Sequence, residues 1–147
     1  MAIRRDDFPL PDTEDPTTAP FFAAAARGEL AVPRCDACGR YIWYPDSRCP
    51  ACGNESLTWT VVSGRGTLFS WAVVERAFLP AFAEQVPFVT GLVALDEDPA
   101  VRIVSYIVDA EPQSLRPELA LVVDFRPLSF PTVPDRSVVV PMFRPAP

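Results

Sequence analysis

Four cysteines arranged as two equally spaced pairs place the strongest constraint on how this chain can fold. The pairs read Cys35-Asp-Ala-Cys38-Gly39 and Cys49-Pro-Ala-Cys52-Gly53, with ten residues between them. In each C-x2-C-G segment the chain makes a tight turn that points two sulfurs at one position, and the glycine lets backbone amides approach those sulfurs. Two such turns supply four tetrahedral ligands, so the pattern predicts one structural zinc ion per chain, bound by Cys35, Cys38, Cys49 and Cys52. The intervening YIWYP segment is typical of a short strand and indicates a zinc ribbon over residues 35–56.

Two other chemistries fit the same four cysteines, namely disulfide bonds and an iron centre of the Fe–S or rubredoxin type. The opening residues, MAIRRDDFPLPDTEDP, lack the apolar run of a signal peptide. We therefore expect a cytoplasmic, thiol-reducing location, where disulfides are rare. An all-cysteine site leaves no open coordination position, which favours a structural over a catalytic metal.

Two residue types are missing, and their absence excludes several enzyme classes. The chain has no histidine, and all 13 of its basic residues are arginine. Without histidine there is no Ser-His or Cys-His catalytic pair and no zinc-histidine site. Without lysine there is no Schiff-base chemistry and no phosphate-binding P-loop lysine. No pair of carboxylates has a spacing that indicates acid–base catalysis, so we predict no catalytic residue in this chain.

The distribution of charge argues against nucleic acid and membrane partners. The formal net charge is −6, and residues 77–147 carry five arginines against nine acidic residues. No segment has the basic stripe that binding to a phosphate backbone requires. No uninterrupted apolar run reaches the roughly 18 residues of a membrane-spanning helix.

The first 34 residues divide into two parts. Residues 1–16 are acidic and rich in proline and predict an extended arm, which is either a frayed terminus or a strap across a partner. Residues 17–34 predict a short alanine-rich helix that ends at Gly28, followed by a lead-in strand. Phe21 and Phe22 give this helix an apolar side, which must pack on the protein's own core or on another subunit.

The remainder of the chain is predicted to be mainly β. Eighteen prolines interrupt most candidate helices, and from residue 57 apolar residues alternate with polar ones. The strand candidates are LTWTVV (57–62), TLFSWAVVERA (67–77), VPFVTGLVALDE (86–97), VRIVSYIV (101–108), LALVVDF (119–125) and SVVVPMF (137–143). Five or six strands without a second helical pattern predict a small barrel over residues 57–147, with a C-terminal extension. Both an OB-fold and an SH3-like barrel fit this strand count.

The turn Ser63-Gly64-Arg65-Gly66-Thr67 has two interpretations. It is either a glycine-rich bend that leads into a barrel strand, or a turn that positions Arg65 to bind a phosphate or a partner carboxylate. Its glycine spacing does not match a dinucleotide-binding motif, and no helix follows it.

The segment FLPAF (78–82) places three large apolar side chains in a connection between strands. Because such side chains are costly to expose to water, we expect them either to fold over the mouth of the barrel or to enter an interface. Burial in the barrel core is the alternative. The predicted interface residues are Phe78, Leu79 and Phe82, together with Phe21 and Phe22 of the helix.

These motifs together resemble a known family of small proteins, which join a rubredoxin-like zinc ribbon to an OB-fold and are encoded beside thiolase-like or hydratase-like acyl-CoA enzymes. The likeness runs from about Phe21 to Pro145. It includes FFAAAARGEL, the two cysteine pairs around YPD, and the leucine-x-tryptophan of Leu57 and Trp59. It continues with SGRGTLFS (63–70), PFV with LVALDE (87–97), and PMFRP (141–145).

The resemblance implies a non-catalytic accessory subunit in a hetero-oligomer with a thiolase-fold or lipid-transfer-protein-like enzyme. That partner is a thiolase or retro-aldolase acting on an acyl-CoA, with steroid or lipid side-chain degradation as the setting. The family is thought to complete or cover an acyl-CoA channel, so the resemblance also implies acyl-CoA as a ligand. Two alternatives are a single-stranded nucleic-acid-binding OB-fold protein, which the negative charge opposes, and a small stand-alone acyl-CoA hydrolase, which the missing histidine opposes.

Overall fold

The computed structural model describes residues 5–147, so residues 1–4 of the predicted arm lie outside the described residues. The described residues form one α-helix, seven β-strands and two short 3₁₀ turns. The elements are α1 (Ala19–Ala26), β1 (Leu30–Cys35), β2 (Leu57–Val62), β3 (Arg65–Val74), a 3₁₀ turn (Pro80–Phe82), β4 (Phe88–Leu95), β5 (Arg102–Ile107), a second 3₁₀ turn (Pro112–Ser114), β6 (Ala120–Phe130) and β7 (Val133–Pro145). Neither the helix nor the turns are long and apolar enough to cross a membrane, as far as residues 5–147 show.

Helix α1 forms where the alanine run predicts it. Its chain reverses at Gly28, whose φ of 75° is readily adopted by glycine, and the backbone N–H of Glu29 donates to the carbonyl of Ala24 at 2.9 Å. Ala24 and Ala25 are buried, and their small side chains let the helix lie close to the strands beneath. Phe21 packs against the main core, and Phe22 packs against a second, smaller core.

Strands β1 and β2 form a separate two-stranded antiparallel sheet, in which Leu30 lies opposite Val62 and Cys35 lies opposite Leu57. The alternation of residues 57–62 predicts a barrel strand, and that part of the expectation is wrong. The segment pairs with the strand that leads into the first cysteine turn instead, so the barrel sheet begins at Arg65. The consequence is a stalk of two strands that carries the cysteine turns at its end.

The barrel is closed and contains five strands in the order β3-β4-β5-β7-β6, with β6 returning to β3. The pairing that involves the fewest residues is between β5 and β7. There Ile107 lies opposite Phe143, and the backbone N–H of Val108 donates to the Phe143 carbonyl at 2.8 Å. The interior is filled by apolar side chains that are at most 2% exposed, including Leu68, Ile103 and Phe143. This architecture confirms the predicted helix, zinc ribbon and five- to six-stranded OB-fold-like barrel.

A second core lies where the β6–β7 hairpin extends past the barrel. Leu10 of the N-terminal segment is 0% exposed and packs in a cluster with Ala81, Phe130 and Val138. Asp7 accepts a hydrogen bond from the Arg136 guanidinium at 2.9 Å, so the segment is also tied by an ion pair. The described part of the predicted arm therefore contains turns and packs on its own hairpin, through Leu10 and Asp7.

Candidate functional site

The two cysteine turns have the backbone geometry of metal-binding knuckles. In the first turn the N–H of Gly39 donates to the Cys35 carbonyl at 2.9 Å, and in the second the N–H of Gly53 donates to the Cys49 carbonyl at 2.8 Å. Both glycines have positive φ, 75° and 78°, which side chains with a Cβ rarely adopt. Each turn therefore presents its two sulfurs on the same side of the chain.

The four sulfurs converge on one position. They all lie within 4.8 Å of one another, with 3.5 Å between the Sγ atoms of Cys35 and Cys52 and 3.6 Å between those of Cys38 and Cys49. Four Zn–S bonds of about 2.3 Å in a tetrahedron place sulfurs roughly 3.8 Å apart, so the donor set fits a tetrahedral metal ion. These separations exceed the S–S bond of about 2.05 Å, and all four cysteines are free thiols, which argues against the disulfide alternative.

Backbone amides favour thiolates in the buried half of this set. The N–H of Cys38 approaches the Sγ of Cys35 at 3.5 Å and lowers the pKa of the Cys35 thiol to about 6. The N–H of Cys52 likewise lowers the pKa of Cys49. At Cys52 the N–H of Asn54 also lowers the pKa, but the neighbouring Cys35 sulfur and burial outweigh it, and the net pKa rises to about 11. A bound cation relieves this crowding of negative charge.

The glycine-rich turn at residues 63–67 joins the stalk to the barrel. The carboxylate of Glu97, in the β4–β5 turn, accepts hydrogen bonds from the Ser63 backbone N–H at 2.7 Å and from the Ser63 hydroxyl at 3.0 Å. A Cβ at Gly66 would stand 2.5 Å from the carbonyl oxygen of Ala94, so the strand crossing requires glycine there. The structure thus supports the bend interpretation of this turn, and Glu97 is a partner that sequence reasoning did not identify.

Arg65 is exposed at the first position of β3, and no carboxylate among residues 5–147 forms an ion pair with it. The predicted aromatic residues follow Val74 at the other end of the same strand. Because a strand advances about 3.3 Å per residue, nine residues separate Arg65 from that end by roughly 30 Å of chain. The structure therefore does not bring Arg65 together with the aromatic cluster.

The predicted aromatic cluster divides into exposed and packed members. Phe78 is 86% exposed and Leu79 is 43% exposed, so both project from the connection between β3 and β4. Phe82 is partly buried, because its ring packs edge-on against Phe130 at 5.2 Å and stacks with Phe88 at 6.1 Å. The 3₁₀ turn at residues 80–82 separates these two environments by reversing the chain between them.

An apolar groove of about 570 Å³ lies beside Phe82 and contains the aromatic residues of the helix. Its walls come from three parts of the chain, namely Pro9 and Pro11 of the N-terminal segment, Phe21 and Phe22 of α1, and the outer face of the barrel. Phe21 and Phe22 contact each other at 5.3 Å with their rings nearly perpendicular. Three of the five predicted interface residues (Phe21, Phe22 and Phe82) thus line one groove.

Comparison with protein families identifies the family to which this chain belongs. Residues 22–58 match the model described as the ChsH2 rubredoxin-like zinc ribbon domain, and residues 59–126 match that of the ChsH2 C-terminal OB-fold domain. The two matches follow one another without a gap and divide the chain within β2. The chain belongs to the ChsH2 family.

Three similar proteins are informative. A solved chain of the "Ltp2-ChsH2(DUF35) aldolase" has a TM-score of 0.77 and 28% identity, over 92% of this chain and 98% of that one. A curated protein of Thermomonospora curvata, the "Probable enoyl-CoA hydratase alpha subunit", is 32% identical over 126 residues. That match covers 86% of this chain but 36% of the relative, so the chain spans about a third of that protein's length. A DUF35-family structure from Sulfolobus solfataricus, of unknown function, shares the fold at a TM-score of 0.54 and 12% identity.

One further feature of the ChsH2-type barrel was not identified from the sequence. The outward-facing positions of β4 and β5 that border the groove carry no charge, with Leu92 opposite Val104 and Thr90 opposite Tyr106. The solvent-facing side of an antiparallel sheet usually carries polar residues at such positions. The signal in the sequence is the valine at position 104 of VRIVSYIV, an outward-facing position of β5 that is 53% exposed and leaves this face apolar.

Proposed function

We propose that this ChsH2-family chain is a non-catalytic accessory subunit of a thiolase-fold enzyme, a thiolase or retro-aldolase, that acts on an acyl-CoA in lipid or steroid side-chain degradation. The observation that carries the proposal is the likeness to the solved "Ltp2-ChsH2(DUF35) aldolase" chain, which extends over nearly the whole of both chains. That name joins a ChsH2-type component to a second component in one aldolase. The name of the Thermomonospora relative, "Probable enoyl-CoA hydratase alpha subunit", supports the same class of substrate.

The chemistry of the chain supports a subunit that leaves catalysis to its partner. The chain has no histidine and no lysine, and its four cysteines converge on one metal position. We assign to Cys35, Cys38, Cys49 and Cys52 one structural zinc ion per chain, because four thiolates fill a tetrahedral shell and leave no position for substrate. When bound, the ion would cross-link the two cysteine turns. We also propose a cytoplasmic location, because a reducing compartment keeps the thiols available for the metal.

The exposed part of the aromatic cluster is the surface that we assign to the partner. Phe78 and Leu79 stand out from the connection between β3 and β4, and the groove containing Phe21, Phe22 and Phe82 lies next to it. Buried aromatic side chains contribute most of the binding energy at protein interfaces. Arg65, at the opposite end of β3 from these residues, is a separate candidate for binding a phosphate or a partner carboxylate, since guanidinium binds either one in a bidentate manner.

We expect Phe78→Asp to weaken capture of the partner enzyme by roughly 30-fold, which corresponds to about 2 kcal/mol, because the carboxylate must be desolvated at the interface. Since Phe78 is 86% exposed, the melting temperature of the Phe78→Asp variant should match that of the wild-type chain. The measurement is the dissociation constant of the complex by surface plasmon resonance, with thermal unfolding of each variant measured separately.

Phe69→Asp is the matched control, because Phe69 is also an exposed phenylalanine (50%) but lies on β3, where its ring contacts Arg102. It should leave the affinity for the partner close to the wild-type value. Equal affinities of Phe78→Asp and the wild-type chain would contradict the assignment of this surface to the partner.

A further inference from the structure

The groove beside Phe82 has walls that suit a small ligand. Its volume of about 570 Å³ is in the range of pockets that bind small molecules, and its walls come from the N-terminal segment, α1 and the barrel. Stacked and edge-on contacts hold the aromatic rings of Phe82 and Phe88 in place, so the walls are formed before a ligand arrives. The concave shape distinguishes this region from the projecting loop at Phe78.

The lining of the groove is electrically neutral. None of the residues that line it is charged, and its polar side chains are the hydroxyls of Thr90, Ser105 and Tyr106. Ser105 donates its hydroxyl to the Pro141 carbonyl at 2.8 Å, and Tyr106 donates its hydroxyl to the Gln85 side-chain oxygen at 3.3 Å. Burial raises the pKa of Tyr106, which keeps that hydroxyl protonated and uncharged. Two of the three hydroxyls are thus already engaged within the protein.

These properties select the chemical class of the occupant. A phosphate or carboxylate in the groove would find no cation among the lining residues, and the chain as a whole is negative. An extended peptide in the groove would find the Thr90 hydroxyl as the one lining side-chain hydroxyl for which residues 5–147 show no hydrogen bond, since those of Ser105 and Tyr106 are already engaged. A hydrocarbon needs no hydrogen-bond partner and gains by removing the exposed apolar walls from water.

We infer that this groove binds the uncharged hydrocarbon portion of a ligand and does not bind a coenzyme A moiety. The 3₁₀ turn that contributes Phe82 directly follows Phe78 and Leu79, so the groove opens beside the surface assigned to the partner enzyme. That the hydrocarbon is the acyl part of the partner's substrate rests on the proposed function. The binding of hydrocarbon by the chain itself does not.

The test is a fluorescence titration of the full chain alone with the uncharged probe phenylnaphthylamine. We expect saturable binding at one site per chain, displacement by decanol and by decanoyl-CoA, and no displacement by coenzyme A without its acyl group. Val104→Glu should weaken probe binding by roughly tenfold or more, because Val104 lines the groove and a carboxylate there must be desolvated. Thr90→Trp, which fills the groove without adding charge, should weaken it similarly.

Val61→Glu is the matched control, because Val61 is 56% exposed and Val104 is 53% exposed, and Val61 lies on β2 away from the groove. It should bind the probe like the wild-type chain, and both variants should retain the wild-type melting temperature. Absence of saturable binding, equal displacement by coenzyme A and decanoyl-CoA, or wild-type binding by both groove variants would overturn the inference.

The partner provides an independent readout. If Val104→Glu keeps the probe but loses the partner enzyme, the groove is a protein interface and the inference is wrong. If the chain fails to bind the probe but still captures its partner, the groove assignment fails while the proposed function stands. Probe binding as expected without any partner enzyme contradicts the proposed function alone.

Discussion

Cys49→Ser should yield a chain that holds less than one metal ion and whose residues 35–56 lose their ordered fold. Cys49 is 1% exposed, and its Sγ lies 3.6 Å from that of Cys38, so the variant removes one of four converging ligands from a buried position. Binding of a structural zinc ion contributes on the order of 10 kcal/mol to the folding of small metal-binding modules, which is comparable to the whole stability of a typical domain. Metal content by plasma emission spectroscopy, which also distinguishes zinc from iron, and amide exchange over residues 35–56 are the measurements.

Ala51→Ser is the control for this variant. It introduces the same hydroxyl into the same knuckle, but Ala51 is exposed and supplies no ligand. It should bind about one zinc ion per chain, as the wild-type chain should. A Cys49→Ser protein with a full equivalent of zinc and unchanged amide protection would show that the four cysteines do not form a structural metal site.

Phe143→Ala should destabilise the barrel by roughly 3–5 kcal/mol, the usual cost of truncating a buried phenylalanine. Phe143 is 0% exposed, and it lies opposite Ile107 at the pairing that closes β5 against β7. The truncation therefore leaves a cavity at the point where few other contacts hold the two strands together. Urea unfolding followed by tryptophan fluorescence gives the free energy of unfolding.

Phe78→Ala removes the same atoms from a side chain that is 86% exposed and should change the free energy of unfolding by less than about 0.5 kcal/mol. Similar unfolding midpoints for Phe143→Ala and Phe78→Ala would contradict the packing described for the barrel. The comparison also separates the core aromatic residues from those assigned to the partner surface.

Local patterns in the sequence predicted the parts of the fold whose determinants are close together in the chain. The two C-x2-C-G turns, the helix that ends at Gly28 and the strand content of residues 101–108 all depend on spacing or periodicity within a few residues. The four sulfurs converge as expected because each knuckle is a local turn. Alternation identifies a strand but not its partner, so the pattern of residues 57–62 predicts a barrel strand although the segment pairs with β1 in the stalk.

Contacts between distant segments explain most of what was not predicted. The ion pair of Asp7 with Arg136 and the burial of Leu10 join the N-terminal segment to the β6–β7 hairpin. The acidic, proline-rich composition of that segment does not predict either contact. Strands β6 and β7 also extend further than expected, through Pro127 and Pro134. Proline is tolerated there because the hairpin projects beyond the barrel, where its outer edges need no donor for another strand.

The groove depended on the same long-range packing. Its walls are contributed by Pro9, Phe22, Phe82 and Val104, which no local pattern brings together. Phe78, Leu79 and Phe82 are predicted interface residues because they are large and apolar in a connection between strands. That criterion does not separate Phe78, which is exposed, from Phe82, which packs on Phe130.

The most direct test of the accessory role is reconstitution of acyl-CoA turnover from purified components. The tagged chain is used to capture its partner from the native cell, the partner is identified by mass spectrometry, and turnover is measured for each protein alone and for the complex. We predict that a thiolase-fold enzyme co-purifies, that the complex turns over an acyl-CoA, and that this chain alone does not. Turnover by this chain alone, or a native complex that contains no thiolase-fold enzyme, would contradict the accessory role.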